Sequence, residues 1–106
     1  MKHIRTKYAD YYVDDKNLRQ GKHKWYYEDG RLNGEGYYKD SRWEGECKWY
    51  YRNGRIEIEC YYKDGKLEGK FKSYCRNGKI EEERFYKNDK EITDPLERFI
   101  LMGERK

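Results

Sequence analysis

The side chains of this sequence that could carry chemistry are two histidines, three cysteines and a recurring set of glutamates. His3 and His23 are the only histidines, and no Cys-x-x-Cys or His/Cys cluster provides zinc-ligand spacing. Glu35, Glu59 and Glu83 recur every 24 residues, whereas a catalytic pair of carboxylates would occur once. The sequence therefore predicts no enzyme, metal or other cofactor, and we interpret the glutamates as partners of lysines.

Two further features are interpreted as structural. His23 takes the position that Cys47 and Phe71 fill 24 and 48 residues later, which indicates packing rather than proton transfer. The segment Gly34-Glu35-Gly36 is too short for a phosphate-binding loop and lies within a predicted strand.

These residues belong to a sequence that repeats itself. Segments 21–44, 45–68 and 69–92 align without a gap at a period of 24 residues, with matching Gly21, Gly45 and Gly69, Lys24, Lys48 and Lys72, Tyr26, Tyr50 and Tyr74, and Gly30, Gly54 and Gly78. A fixed period of this length is typical of repeat architectures. We therefore expect one domain built of three repeats.

Composition limits the class of protein. The chain is 43% charged but also 18% aromatic, with 13 tyrosines, and disordered chains are poor in aromatic residues. Its 25 basic and 21 acidic residues are mixed along the sequence, which does not favour nucleic acid as a partner. With no signal-peptide core, no transmembrane segment and three unevenly spaced cysteines, we expect a soluble cytoplasmic protein.

Turn signals divide each repeat into a hairpin. Asp29-Gly30, Asn53-Gly54 and Asn77-Gly78 predict two-residue turns with positive φ. Asp40-Ser41, Asp64-Gly65 and Asn88-Asp89 follow half a period later, and only the middle pair is ideal. The fold class predicted is all-β: an elongated, single-layer antiparallel meander of tandem 24-residue hairpins.

A two-residue turn at Asn53-Gly54 fixes the register. Tyr51 would then face Ile56, Trp49 would face Ile58, and Cys47 would face Cys60 at a non-hydrogen-bonded site. The same register pairs each repeated lysine with a repeated glutamate, in the predicted ion pairs Lys24–Glu35, Lys48–Glu59 and Lys72–Glu83. Two thiols packed as small apolar groups are the favoured interpretation of the cysteine pair, and a strained, labile disulfide is the alternative.

Alternation along the strands sorts the side chains onto two faces. Face A is the face of Trp25 and Trp49, and face B is the face of Lys48 and Glu59. Face A is predicted to carry in addition Tyr27, Leu32, Tyr38, Trp43, Tyr51, Ile56, Ile58, Tyr62, Leu67, Phe71 and Ile80. Face B is predicted to carry charged residues interrupted by Tyr26, Tyr37, Tyr50, Tyr61, Tyr74 and Phe85.

The two ends depart from the repeat. Residues 1–20 are interpreted as a degenerate N-terminal half-repeat with a polar turn at Asp14–Asn17. In segment 93–106, Asp94-Pro95-Leu96-Glu97 is typical of a helix start. We expect a short helix there that caps the end of the sheet.

The segments KWYYRNGRIEIECYYKDGKLEG and YYKDGKLEGKFKSYCRNGKIEEE resemble the variant MORN repeat. The resemblance covers about residues 20–92, and the third repeat departs from it where Asn88-Asp89-Lys90-Glu91 replaces Asp-Gly-Lys-Leu. It implies an elongated antiparallel meander and, for bacterial members, an antitoxin-type role. Ordinary MORN repeats imply scaffolding or phospholipid binding.

We therefore expect a non-enzymatic module that binds another protein, such as a toxin or effector that it occludes. Aromatic side chains dominate protein interfaces, and those we single out are Trp25, Tyr26, Tyr27, Trp49, Tyr50, Tyr51 and Tyr74. The sequence does not decide which face binds. Two alternatives stay open: a scaffold that self-assembles, for example as a homodimer through an edge strand, and a binder of nucleic acid or anionic lipid.

Overall fold

The computed structural model describes residues 1–94 and Leu96. All regular structure in residues 1–94 is β-strand, in one open antiparallel sheet. The prediction of a single-layer, all-β antiparallel fold is confirmed for this part of the chain. The capping helix expected within 93–106 lies almost entirely outside the described residues.

Within residues 1–94, eleven strands form the sheet: β1 (Lys2–Arg5), β2 (Ala9–Val13), β3 (Gly21–Tyr26), β4 (Leu32–Lys39), β5 (Arg42–Trp43), β6 (Gly45–Tyr50), β7 (Ile56–Lys63), β8 (Lys66–Leu67), β9 (Gly69–Tyr74), β10 (Ile80–Lys87) and β11 (Lys90–Glu91). Their order in the sheet is β1-β2-β3-β4-β6-β7-β9-β10-β11, with β5 beside β4 and β8 beside β7. Neighbours in sequence are therefore neighbours in space, as in a meander.

The turns that join the long strands within each repeat differ from the predicted two-residue type. In the second repeat, Gly54 N–H donates to the Tyr51 carbonyl at 2.9 Å and Tyr51 N–H to the Arg55 carbonyl at 2.8 Å. The loop is thus three residues long, and Gly54 alone has a positive φ, of 87°. Asn53 instead accepts the Arg55 N–H on its side-chain oxygen at 2.9 Å. The same hydrogen bonds recur in the other repeats, and we call Tyr27–Arg31, Tyr51–Arg55 and Cys75–Lys79 the wide turns.

A bulge on the returning strand compensates for the longer turn. Tyr50 pairs with Ile56 but Trp49 pairs with Ile58, so Glu57 is an extra residue. Beyond it, Lys48 pairs with Glu59 and Cys47 with Cys60. The predicted register of the lysine and glutamate positions is therefore confirmed. It arises because the extra loop residue and the extra bulge residue each shift the pairing by one residue, and the two shifts cancel. The same shift occurs in the first and third repeats.

The bulge also moves three aliphatic residues to the other face. Leu32, Ile56 and Ile80 pair with Tyr26, Tyr50 and Tyr74, and directly paired residues point to the same side of a sheet. They lie on face B, so their predicted place on face A was wrong. The predicted pairing of Tyr51 with Ile56 was wrong for the same reason.

The second set of turns is of the two-residue type. Asp40 and Ser41 have φ of 50° and 63°, Asp64 and Gly65 have 51° and 82°, and Asn88 and Asp89 have 51° and 69°. Both central residues are left-handed, as a type I′ turn requires. We call Lys39–Arg42, Lys63–Lys66 and Lys87–Lys90 the tight turns. Because Tyr86 pairs with Glu91, the regular pattern extends through the third tight turn despite its altered sequence.

The buried core is small and lies mostly on face A between the long strands. Its fully buried members in the described residues include His23 and the directly paired Cys47 and Cys60. Both thiols are free. The Glu68 N–H donates to the Tyr61 carbonyl, so the backbone of Tyr61 points away from β6 and that of Cys60 points toward it. The cysteines thus occupy a hydrogen-bonded site, which corrects the predicted one.

Candidate functional site

Face B carries a row of charges that alternate in sign from one strand to the next. Each member of the row is the direct partner of the next, and the row crosses eight strands in the order Arg5, Asp10, Lys24, Glu35, Lys48, Glu59, Lys72 and Glu83. Opposite charges at adjacent cross-strand positions favour this register over a shifted one. We call this set the charge row.

The closest ion pairs of the charge row run diagonally, not directly across as predicted. Glu35 Oε1 lies 3.0 Å from Lys22 Nζ, and Glu83 Oε1 lies 3.0 Å from Lys70 Nζ. The second repeat has an acidic residue at the equivalent position, so Lys48 Nζ lies 3.5 Å from Glu46. The ion-pair partner of each long, flexible side chain is therefore set by residues two positions along the strand, and not by the directly opposite residue alone.

Tyrosine hydroxyls complete the hydrogen bonding of two glutamates in the charge row. Tyr50 donates to Glu35 at 3.1 Å, and Tyr74 donates to Glu59. Burial and the nearby Glu35 carboxylate raise the pKa of Tyr50 to about 12, and the hydrogen bond to Glu59 raises the pKa of Tyr74 to about 12. Burial raises the pKa of Glu35, but hydrogen bonds from Lys22 and Tyr50 outweigh it and leave that pKa lowered. The hydrogen-bonding and charged groups of face B therefore largely have partners within the protein.

Face A carries a continuous group of rings. Trp25 stacks on His23 with ring centroids 3.9 Å apart and on Trp43 at 5.2 Å, and Trp43 in turn stacks on Tyr62 at 5.2 Å. We call the aromatic cluster the set Tyr11, His23, Trp25, Tyr38, Trp43, Trp49 and Tyr62. Its tryptophans and tyrosines are half-buried. No second layer of described residues covers this single sheet.

Two glycines of β4 make room for the tryptophans. A Cβ on Gly34 would lie 2.3 Å from the Trp49 ring, and one on Gly36 would lie 2.4 Å from the Trp43 ring. Real Cβ atoms do not approach so closely, so both indoles lie against bare backbone. The segment Gly34-Glu35-Gly36 therefore serves packing, which agrees with its interpretation from sequence.

The wide turns are linked to one another by side chains. Tyr27 donates to the Tyr50 carbonyl at 2.6 Å, and Tyr51 donates to the Tyr74 carbonyl at 2.6 Å. The Arg52 guanidinium lies 4.8 Å from the centroid of the Tyr27 ring, a cation–π contact. An open groove of about 510 Å³ lies along these turns between the two tyrosine rings and the arginines.

The residues predicted to bind a partner thus fall into three places. Trp25 and Trp49 lie in the aromatic cluster, Tyr27 and Tyr51 link the wide turns, and Tyr26, Tyr50 and Tyr74 lie on face B. The structure does not bring these seven together. The predicted set omits Trp43, Tyr38 and Tyr62, although Trp43 contacts rings from four strands. The repeat alignment contains no signal for such contacts, because Trp43 has no aromatic counterpart at Leu67 or Glu91.

The groups that could do acid–base or thiol chemistry are not assembled into a site. Burial lowers the pKa of His23 to about 4, and neither of its ring nitrogens has a hydrogen-bond partner. His3 bonds to Asp10 on the exposed face. Contact with Cys60 and burial raise the pKa of the Cys47 thiol, which disfavours the reactive thiolate. The described residues contain no group of three potential metal ligands.

Comparison with known proteins agrees with the repeat geometry. A family model described as MORN repeat variant matches residues 19–40, 43–64 and 67–88, which together exceed half of the chain. A search of curated proteins finds no match. In the described part of the chain, no helix is long and apolar enough to cross a membrane. The three matched segments each contain one wide turn and one long returning strand, and the chain therefore belongs to the MORN repeat variant family.

Proposed function

We propose that the protein is a non-enzymatic binding module that engages another protein through face A. The observation that supports this proposal most directly is the aromatic cluster on a one-layer sheet. Its half-buried rings are held in place by stacking, and the described residues provide no layer that covers them. Rigid aromatic groups that keep accessible surface are typical of interface hot spots.

Face B is the less suitable surface. Its tyrosines Tyr50 and Tyr74 already donate to glutamates, and its lysines already face carboxylates along the charge row. A partner would have to displace these bonds or leave them at the rim, where charges contribute little to affinity. The alternating signs also create no extended positive field, so nucleic acid or anionic lipid is not favoured.

Photo-crosslinking from neighbouring residues of one strand tests this proposal. Tyr38 is a member of the aromatic cluster on face A, whereas Tyr37, which is 44% exposed, points to face B. A photo-reactive phenylalanine analogue at Tyr38 or at Tyr62 should give one discrete protein adduct in host cells. The same analogue at Tyr37 serves as the matched control and should give none. Adducts from Tyr37 alone, or from no position, would contradict the proposal.

The finer proposal, that the partner is a toxin or effector neutralised by occlusion, is supported by the family resemblance alone. It predicts that the crosslinked partner loses its own activity at one equivalent of this protein. Replacing Tyr62, whose ring stacks on Trp43 at 5.2 Å, with alanine should weaken that inhibition. A captured partner that keeps full activity when saturated would contradict inhibition while leaving protein binding intact.

A further inference from the structure

The charge row ends with opposite charges at the two sides of the sheet. Arg5 lies on β1, and its side chain is 75% exposed. Glu83 lies on β10, the eighth strand of the row, and its side chain is 37% exposed. Neither side of the sheet closes on the other, so β1 and β10 each keep an open edge at these residues in the described part of the chain.

Inside the molecule, the position of Glu83 is one that pairs with a further strand. Glu59, 24 residues earlier, pairs with Lys72 of β9, and Ile58 pairs with Ser73. Only these two residues of β7 pair with β9, because β8 occupies Tyr62 and Lys63. In the third repeat β11 occupies Tyr86 and Lys87 in the same way. β10 therefore presents at Glu82 and Glu83 the edge that β7 uses to bind the next repeat.

The backbone groups at both edges point outward. Ile92 N–H donates to the Phe85 carbonyl on the side away from β9, and the backbone groups of Glu83, two residues earlier, point the same way. Thr6 N–H donates to the Ala9 carbonyl, so the groups of its neighbour Arg5 point away from β2. Glu83 and Arg5 thus both direct their backbone N–H and C=O groups out of the sheet edge, as the two members of a hydrogen-bonded pair do.

Strand direction agrees as well. The eight strands that the charge row crosses are antiparallel to their neighbours throughout. An even number of alternating strands leaves β1 and β10 antiparallel to each other. A second copy placed beside β10 in the same orientation therefore continues the alternation without a break.

We propose that this chain associates head to tail with a second copy of itself, with β1 of one copy pairing antiparallel with β10 of the other. Arg5 then lies opposite Glu83 of the second copy, and the charge row runs on through the joint. Such a joint is heterologous: each added copy leaves one edge of each kind free. Chains of several copies form. The joint lies at the sheet edges, so it lengthens face A and does not cover it.

The joint is weaker than the boundaries between repeats. Within the molecule, Tyr27 and Tyr51 each add a hydrogen bond to the following repeat, whereas the third repeat has Cys75 at this position. The paired segment is also only two residues wide, as it is between β7 and β9. Association should therefore be concentration-dependent and, because the pairing charges are exposed, should weaken in high salt.

Proline variants test the joint one edge at a time. On the backbone, Arg5→Pro and Glu83→Pro each remove only an outward-pointing N–H, so the hydrogen bonds inside the sheet are kept. In sedimentation from about 10 µM to about 1 mM, the wild type should exceed its monomer mass of 13.2 kDa progressively. Each variant alone should remain a monomer. An equimolar mixture should reach twice the monomer mass and stop there, since only one joint can form.

Charge reversal is the second, independent test. Arg5→Glu alone and Glu83→Lys alone place like charges across the joint and should not associate. Mixed together they restore opposite charges at both joints and should form chains again. Far-UV circular dichroism of every variant checks that the sheet is kept. A wild type that stays monomeric at about 1 mM, or single proline variants that still dimerise, would overturn the proposal.

Discussion

At the scale of single residues, His23 shows how a titratable group can be used purely for packing. Its ring lies between Tyr11, with centroids 4.6 Å apart, and Trp25. It is 2% exposed, and both ring nitrogens lack a hydrogen-bond partner. Burial and, secondarily, the positive charge of Arg19 lower its pKa to about 4, and the negative charge of Asp10 raises that pKa by a smaller amount. The folded protein therefore holds this imidazole neutral at physiological pH.

This burial predicts a loss of stability in mild acid. Below about pH 6.5 the unfolded chain binds a proton at His23, whereas the folded chain does not bind it until about pH 4. Stability is therefore full above pH 6.5 and falls steadily between these two values. The total loss should be roughly 3 kcal/mol, measured as the free energy of unfolding in urea at several pH values.

His23→Phe is the matched control, because Phe71 fills the equivalent position of the third repeat. This variant should unfold with nearly constant free energy between pH 6.5 and 4.5. Carboxylates such as Asp10 and Asp14 have lowered pKa values, so the stability that they contribute is lost only at more acid pH. A wild type and a variant with the same pH profile in that window would show that His23 is not the group responsible.

At the scale of elements, two of the tight turns contain a strained non-glycine residue whose side chain accepts a hydrogen bond from the preceding repeat. Ser41 and Asp89 have positive φ at a position where the second repeat has Gly65. Ser41 Oγ accepts the Arg19 N–H at 2.9 Å, and Asp89 Oδ1 accepts the Leu67 N–H at 2.6 Å. Glycine cannot make this bond but adopts positive φ without strain. The two turns that look unsuitable in sequence are therefore stabilised from the preceding repeat.

Substitutions at Ser41 separate the two effects. Ser41→Ala keeps the strain and loses the hydrogen bond, so we expect a loss of about 1 kcal/mol in the free energy of unfolding. Ser41→Gly loses the same bond but relieves a left-handed strain of about 1 kcal/mol, so it should be close to neutral. Chemical denaturation measures both. Equal losses for the two variants would rule out strain at this turn.

The hairpins also show what the sequence could and could not predict. The period followed from the repeat. The register that places Lys48 opposite Glu59 was deduced from a two-residue turn and is confirmed only because the bulge offsets the longer turn. The turn type could not be predicted, because Asn53-Gly54 suits two turns: Asn can adopt positive φ or accept the Arg55 N–H, and here it accepts. The bulge at Glu57 has no sequence signature of its own. The Trp43 contacts depend on neighbouring strands, which local pattern does not specify.

At the scale of the whole molecule, stability is transmitted from repeat to repeat through the wide turns. Tyr51 is half-buried, donates to the Tyr74 carbonyl and lies against Arg76 at 5.7 Å from its ring centroid. Tyr27 makes the equivalent contacts one repeat earlier. In stacked repeats, such nearest-neighbour contacts determine whether the array unfolds as one unit.

Tyr51→Phe should therefore reduce both stability and cooperativity. Loss of the 2.6 Å hydrogen bond should cost about 1 kcal/mol, and weaker coupling between the second and third repeats should lower the apparent m-value in urea. Tyr37→Phe, at a site that is 44% exposed, is the control and should change neither quantity. An unchanged m-value and midpoint for Tyr51→Phe would mean that the array is coupled elsewhere.

The charge row has a consequence for how a protein of this kind can change length in evolution. A gene duplication that copies 24 residues inserts two long strands, which adds one positive and one negative rung and lengthens the sheet by roughly 10 Å. The signs remain matched at every new boundary. Duplicating or deleting half a unit would bring lysine against lysine or glutamate against glutamate. The sheet can therefore gain or lose strands only in pairs without placing like charges opposite each other, so the charge row restricts which duplications and deletions the fold tolerates.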